Sequence, residues 1–253
     1  MADHLKFKSA NNHYDLVVEG GVNSLTNQQF IALSKPATNL LDSVSPINDA
    51  EVFIEGTPLK LYNKNGIYAG VILNNKRYNE AYHLKVIYRN KTYEAFDTLK
   101  QVLPITTAEL NLFVQQQNDE INISIPKHSF IKGESAKIFY HFSGGVNWSP
   151  SIFNKVQLYS YIHPNPPPYG LSPILEQRTN YIFQVSDSFE VSKFSESDAY
   201  SQYLYQIFQE TDWRSIFSGN PGAIKGNISG NALGFFYCTD VLTKKIAIKD
   251  ILQ

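Results

Sequence analysis

Cysteine is almost missing from this chain: Cys238 is the only one in 253 residues. A single thiol excludes an intrachain disulfide and any cysteine metal cluster. Its neighbours Phe235, Phe236 and Tyr237 mark it as a small buried hydrophobe. Methionine is just as scarce, with Met1 alone, which fits an added start codon. Charge is sparse as well. Asp, Glu, Lys and Arg make up 18% of the residues, the formal net charge is −1, and neither sign gathers into a block. Nucleic-acid binding needs clustered Lys and Arg, so that class of partner is set aside. No apolar run approaches the roughly 18 residues that would span a bilayer, and no signal peptide is visible. The expectation is a cytosolic protein, or one whose targeting segment has been removed.

What the chain does hold is aromatic and β-forming. Tyr and Phe number 16 each, a richness that, with low charge, is typical of β-rich extracytoplasmic proteins. The first dozen residues are polar and read as a tether. From there to residue 104 the pattern is that of short strands with punctuated turns. Strands are expected over Tyr14–Glu19 (ended by Gly20-Gly21), Gln29–Ser34, Ala50–Glu55, Leu59–Tyr62, Ile67–Leu73, Tyr82–Tyr88 and Thr92–Phe96, with a loop over 37–48. Asn65-Gly66 is the strongest hairpin signal. Such spacing points to an N-terminal immunoglobulin-like or transthyretin-like β-sandwich over 14–104. A boundary is expected at Leu103-Pro104-Ile105, followed by a second β-rich domain over 105–253.

In that second domain, Thr106–Gln117 suits a short helix or an edge strand, and the edge strand is preferred. Further strands are expected over Glu120–Ile125, Ala136–Phe142, Val156–Ile162, Thr179–Val185 and Ser188–Val191. One amphipathic helix stands out over about 196–217. Ser195-Glu-Ser-Asp198 offers its N-cap, and Tyr200, Tyr203, Leu204, Ile207 and Phe208 form its apolar stripe. Trp213, Ile216 and Phe217 extend that stripe. After it, Gly226, Gly230 and Gly234 recur every four residues in an apolar and aromatic run. Glycine so placed permits positive φ or close approach of another backbone. The helix is expected to lie on a sheet whose inner strand is Gly226–Tyr237, with a last strand around Ile246, Ile248 and Ile251.

Leu16-Val-Val-Glu-Gly20, Phe30-Ile-Ala-Leu-Ser-Lys35, Asp49-Ala-Glu-Val-Phe-Ile54, Gly66-Ile-Tyr68, Tyr82-His-Leu-Lys-Val86 and Thr92-Tyr-Glu-Ala95 form an ordered series, closed by Gly226-Asn-Ile228 and Leu233-Gly-Phe-Phe236. In this order and spacing the chain resembles the lipoprotein family catalogued as domain of unknown function 4249, from about Leu16 to Tyr237. The resemblance implies an outer-membrane-associated lipoprotein of Bacteroidota-type bacteria, often encoded beside TonB-dependent receptors. It also implies a leader with a lipid-bearing cysteine, which this sequence lacks. The family has no assigned catalytic residues, so none is carried over.

A search for chemistry from the residues agrees. The six histidines (His4, His13, His83, His128, His141 and His163) show no i,i+4 pair and no H-E-x-x-H spacing. There is no G-x-S-x-G elbow, no G-x-G-x-x-G loop and no D-x-D-x-D series. His83 reads as a solvated strand residue and His141 as a hydrogen-bonded sandwich histidine. Glu196 and Asp198 read as cap and helix-dipole groups. No cofactor, metal or catalytic residue is expected. Two aromatic positions could contact a ligand: Tyr169 in the proline-dense His163–Gly170 loop and Trp148 after Gly144-Gly145. The Tyr169 loop is read first as a solvent loop that closes two strands, and Trp148 equally as a buried residue.

The first expectation is therefore a non-catalytic accessory lipoprotein working with a TonB-dependent receptor in nutrient uptake or surface assembly. An independent glycan-binding or adhesin module with Trp148 and Tyr169 as platform is the alternative, and a hydrolase with an unrecognised site comes third. Asp42-Ser-Val44 and Asp97-Thr-Leu99 also resemble a short surface O-glycosylation signal.

Overall fold

The computed structural model describes residues 14–36, 43, 45–73, 77–142, 158–165, 177–211, 224 and 226–252. It is mainly β, as expected: two sandwiches and, among the described residues, one α-helix.

The first sandwich contains β1 (Leu16–Asn23), β2 (Gln28–Lys35), β3 (Ser45–Pro46), β4 (Glu51–Ile54), β5 (Thr57–Asn63), β6 (Ile67–Val71), β7 (Ala81–Tyr88) and β8 (Lys91–Thr98). Alternation builds it. In β7, Tyr82, Leu84, Val86 and Tyr88 point inward; in β8, Tyr93, Ala95 and Asp97 do the same. The turn at Glu55-Gly56 has both residues at positive φ (50° and 74°), so the β4–β5 hairpin closes in two residues. The hairpin expected at Asn65-Gly66 forms between β5 and β6, with a register shift between Leu61 and Asn63. The short β3 falls in the segment expected to be loop and pairs with β2.

The sheet is completed from far along the chain. Strand β16 (Ala232–Thr239) pairs in parallel with the whole of β1, so the strand order is β16-β1-β2-β6-β5-β4-β7-β8. The path folds over a core that includes Val18, Ile31, Leu84, Phe236 and Cys238, and its two ends meet. There Asn227 donates to the carbonyls of Phe96 (3.0 Å) and Phe236 (2.7 Å), and Cys238 N–H donates to Asp97 Oδ2 at 2.7 Å. The first core thus takes Phe236 and Cys238 from far beyond residue 104. Two glycines allow the close β1–β16 pairing. A Cβ on Gly234 (φ +99°) would lie 1.9 Å from Val18 O, and one on Gly21 would lie 1.8 Å from Tyr237 O. This corrects the expectation that Gly20-Gly21 ends the first strand: β1 runs through both to Asn23, because the missing side chain of Gly20 makes room for Phe30 O of β2 and that of Gly21 for β16.

The second sandwich opposes a three-stranded sheet, β14-β10-β9, to a five-stranded one, β11-β13-β12-β15-β17. The first comprises β9 (Phe113–Gln117), β10 (Glu120–Pro126) and β14 (Arg178–Gln184). The second comprises β11 (His128–Phe130), β12 (Ala136–His141), β13 (Leu158–His163), β15 (Ser188–Ser195) and β17 (Val241–Ala247). Ile121, Ile123, Ile125, Ile138, Tyr140, Phe189, Val191 and Ile246 fill the space between them. Residues 108–110 form a 3-10 turn before β9, so both alternatives weighed for 106–117 are present in succession. The chain after β17 turns in a second 3-10 segment, Ile248–Asp250, which ends the last strand short of Ile248 and Ile251.

Helix α1 (Asp198–Thr211) lies on the outer side of the five-stranded sheet and against β16. Its cap is Ser197, whose Oγ accepts Tyr200 N–H at 3.0 Å. Ser195 has a different task, which corrects the cap assignment. It ends β15, donates its hydroxyl to Lys100 O (2.6 Å) and accepts Asp240 N–H (2.8 Å). Trp213, Ile216 and Phe217 lie outside the described residues.

The two sandwiches are clasped by buried polar groups. Asp240 links β16 of one to β17 of the other; its carboxylate accepts Val102 N–H at 3.0 Å and the Ser24 hydroxyl. Just beyond, Lys193 pairs with Glu109 inside the second sandwich, and Glu109 also accepts Thr106 N–H at 2.7 Å. Among the described residues no helix is long and apolar enough to cross a membrane.

Candidate functional site

The two residues expected to contact a ligand, Trp148 and Tyr169, lie outside the described residues, as does most of the proline-dense loop. His83 lies on the outward face of β7, stacked on Phe96 at 4.4 Å with its Nε2 3.3 Å from Glu94. His141 is buried on β12, and burial lowers its pKa. Asp97 and Leu99 of the second glycosylation-like triplet are both buried. Glu196 and Asp198 part company: Asp198 is exposed in the first helical turn, whereas Glu196 is 7% exposed. Glu196 is thus set apart from its acidic neighbour by burial just before the helix.

The most concentrated polar chemistry sits between α1 and the five-stranded sheet. Alternation in β12 sends Ala136, Ile138 and Tyr140 into the second core, so Lys137, Phe139 and His141 face the other way. The register sets Lys137 opposite Tyr161 on β13 and Phe194 on β15, and sets His128 of β11 opposite Tyr161. The Lys137 ammonium lies 4.9 Å from the Phe139 ring centroid, 5.9 Å from Tyr159 and 5.8 Å from Tyr161. Burial pushes its pKa down to about 8, against the opposing pull of Glu196 and Glu19. Burial pushes the Glu196 carboxyl up to about 8, with Lys137 and Ser201 acting in the opposite sense. Each group is thus shifted toward its neutral form by burial and pulled back toward its charged form by the other.

Under the far half of α1 lies an imidazole pair. His128 Nδ1 and His163 Nε2 are 3.0 Å apart, so one ring donates and the other accepts. Phe208 covers both, with centroid distances of 4.5 Å and 5.0 Å. Burial, reinforced by His128, lowers the His163 pKa to about 3, which keeps that ring neutral at pH 7. The pair offers two nitrogens. Among the described residues no group of three or more His, Cys, Asp and Glu side chains is placed to hold a metal ion.

A third arrangement lies on the outer face of the three-stranded sheet. There Phe113, Gln115, Asn122, Ser124, Asn180 and Ile182 point away from the core formed by Val114, Ile121, Ile123, Tyr181 and Phe183. The chain also reads well against known families. The family model described as a domain of unknown function (DUF4249) matches residues 3–245. The chain belongs to this family. No curated protein matches it. The segments that carried the resemblance fall on β1, β2, β4, β6, β7, β8 and the β16 region, all of them in the first sandwich. The family match itself, over residues 3–245, runs through both sandwiches.

Sequence reasoning missed Lys137, the His128–His163 pair and the amide face. One signal was present: a strand with Phe139 and His141 on one face and Ile138 and Tyr140 on the other is covered on both sides. A lysine within it is then held against aromatic rings, at least half-buried, rather than in open solvent. The pairing of His128 with His163 had no local signal, because β11 joins β13 in parallel across 35 residues.

Proposed function

We propose that this chain is a non-catalytic, extracytoplasmic accessory lipoprotein of the outer membrane in Bacteroidota-type bacteria, working with a TonB-dependent receptor in nutrient uptake or surface assembly. Membrane attachment in this reading is through a lipid anchor. Family membership supports it, and the carrying observation is the clasp between the sandwiches. β16 belongs to one body and β17 to the other, and the buried Asp240 carboxylate ties the chain between them to Val102 and Ser24. A body so joined presents two sheet surfaces at one fixed setting, which suits docking on a larger partner. The test is affinity purification of the tagged full-length protein from native outer membranes. A TonB-dependent receptor should be recovered with it; recovery of the protein alone, from the cytosol, overturns the reading.

A second reading, an independent glycan-binding or adhesin module, is favoured by the outer face of the three-stranded sheet, whose middle bears amides and hydroxyls and no charge. Binding of the purified protein to a glycan array is its test, and an array with no bound sugar removes it.

A further inference from the structure

The three-stranded sheet is buried on one side only. Its register places three rows on the other side: Gln117, Glu120 and Gln184; Gln115, Asn122 and Ile182; Phe113, Ser124 and Asn180. Charge occurs only at the two ends of this face. Glu120 sits at one, and Arg178 at the other. The Arg178 guanidinium is occupied with the carbonyl oxygens of Asn111 and Ser124, each at 3.1 Å. Between them the side chains are amides and hydroxyls with two large exposed apolar groups, Phe113 (55%) and Ile182 (65%).

The spacing of those two groups decides between classes of partner. Phe113 and Ile182 lie on the two outer strands and one row apart, about 12 Å from each other by ordinary sheet dimensions. Asn122 and Ser124 stand between them. A protein interface gathers its apolar anchors into one desolvated centre. Here they are separated by hydrogen-bonding groups, which matches a chain of two or three sugar rings: apolar ring faces at intervals, hydroxyls between. Asn122 is half-buried between Phe113 and Ile182, and its buried Oδ1 takes no hydrogen bond, so a turn of this side chain toward the surface lets it meet a sugar hydroxyl.

We propose that the outer face of β9, β10 and β14 binds a neutral oligosaccharide, with a sugar ring on Phe113 and hydroxyls on Gln115, Asn122, Ser124 and Asn180. This rests on the glycan-binding reading and moves its platform from Trp148 and Tyr169 to a different surface. Acidic sugars are disfavoured because the one cation on the face is already held by backbone carbonyls.

The experiment titrates the purified full chain, and its Phe113→Ala, Asn122→Ala and Trp148→Ala variants, with neutral gluco-, xylo- and manno-oligosaccharides and with polygalacturonate. Wild type should bind at least one neutral oligosaccharide. Phe113→Ala and Asn122→Ala should each weaken it about tenfold or more, the loss of one stacking or one hydrogen-bonding group. Because Phe113 is exposed, its variant should unfold at the wild-type temperature. Neutral binding that survives both substitutions but is lost in Trp148→Ala overturns this face and leaves the glycan reading standing. No neutral binding at all overturns both. Preference for polygalacturonate overturns the neutral assignment. Variants that bind no sugar yet lose a co-purifying receptor make this a protein-docking face, and the proposal falls.

Discussion

Replacing Asp97 by Asn should stabilise the protein at neutral pH relative to its effect in mild acid. Asp97 sits where the first sandwich closes on itself, 5% exposed, accepting the Cys238 N–H at 2.7 Å. Burial raises its pKa from 3.8 to about 6, with Ser197, Cys238 and Thr98 pulling the other way through hydrogen bonds. The folded state therefore holds this proton more tightly than the unfolded chain does. The linked stability is fully present below about pH 4 and is lost as pH rises through 6. At about 1.36 kcal/mol per pKa unit, the full change is about 3 kcal/mol, of which about 2 kcal/mol falls between pH 4.5 and 7.5. Asparagine has the same shape, no charge, and a carbonyl that can still accept Cys238 N–H. Urea unfolding of wild type and Asp97→Asn at those two pH values isolates this group, because the other titrating residues cancel in the difference. The variant's stability relative to wild type should rise by about 2 kcal/mol from the acid to the neutral condition. A difference constant to within about 0.5 kcal/mol would mean that the folded state does not favour the protonated carboxyl, and the argument for its burial would fail.

Lys193→Met alone should cost about 3–5 kcal/mol by leaving Glu109 charged and buried, whereas Lys193→Met with Glu109→Gln should recover most of that loss. Chemical denaturation decides, and a double variant no better than the single one refutes the pairing. Gly234→Val should cost more than about 3 kcal/mol, since its Cβ would meet Val18 O at 1.9 Å at a φ of +99°. Hydrogen exchange should then show lost protection in β1 and β16 with β10 and β12 still protected; uniform loss counts against a local role. The His163 ring, held down at about 3, should stay neutral by NMR from pH 8 to 5. Because its folded-state pKa lies below the ordinary 6.5, its stabilising share is present above pH 6.5 and declines as pH falls below that. A His163 titration near 6.5 would contradict the buried pair.

The strands were readable wherever their cause was local. Tyr82, Leu84, Val86 and Tyr88 alternate because one side of β7 meets a core, and Asn65-Gly66 marks its hairpin because glycine takes φ +74° there. The stripe of Tyr200, Leu204 and Phe208 marked α1 for the same kind of reason. Ser195 and Ser197 were not separable: both are hydroxyls before a helix, and only the partners Lys100 and Asp240 show which is engaged elsewhere. Gly20-Gly21 looked like a stop because glycine ends strands as often as it admits a neighbour. Of the ligand contacts expected, neither Trp148 nor Tyr169 lies in the described residues, while the amide face required knowing that β9, β10 and β14 share a sheet.

By itself the sequence determined a β-rich, uncharged-leaning chain of the DUF4249 family, with one amphipathic helix. These are consequences of composition and of periods two and three to four, which act over a few neighbouring residues. Tertiary structure alone decided that Ala232–Thr239 returns more than 200 residues to lie beside Leu16–Asn23, and that Lys137 comes within electrostatic reach of Glu196 under the helix. Parallel pairing across such a distance leaves no local pattern. A buried charge is recognised only when the surfaces that bury it have been brought together.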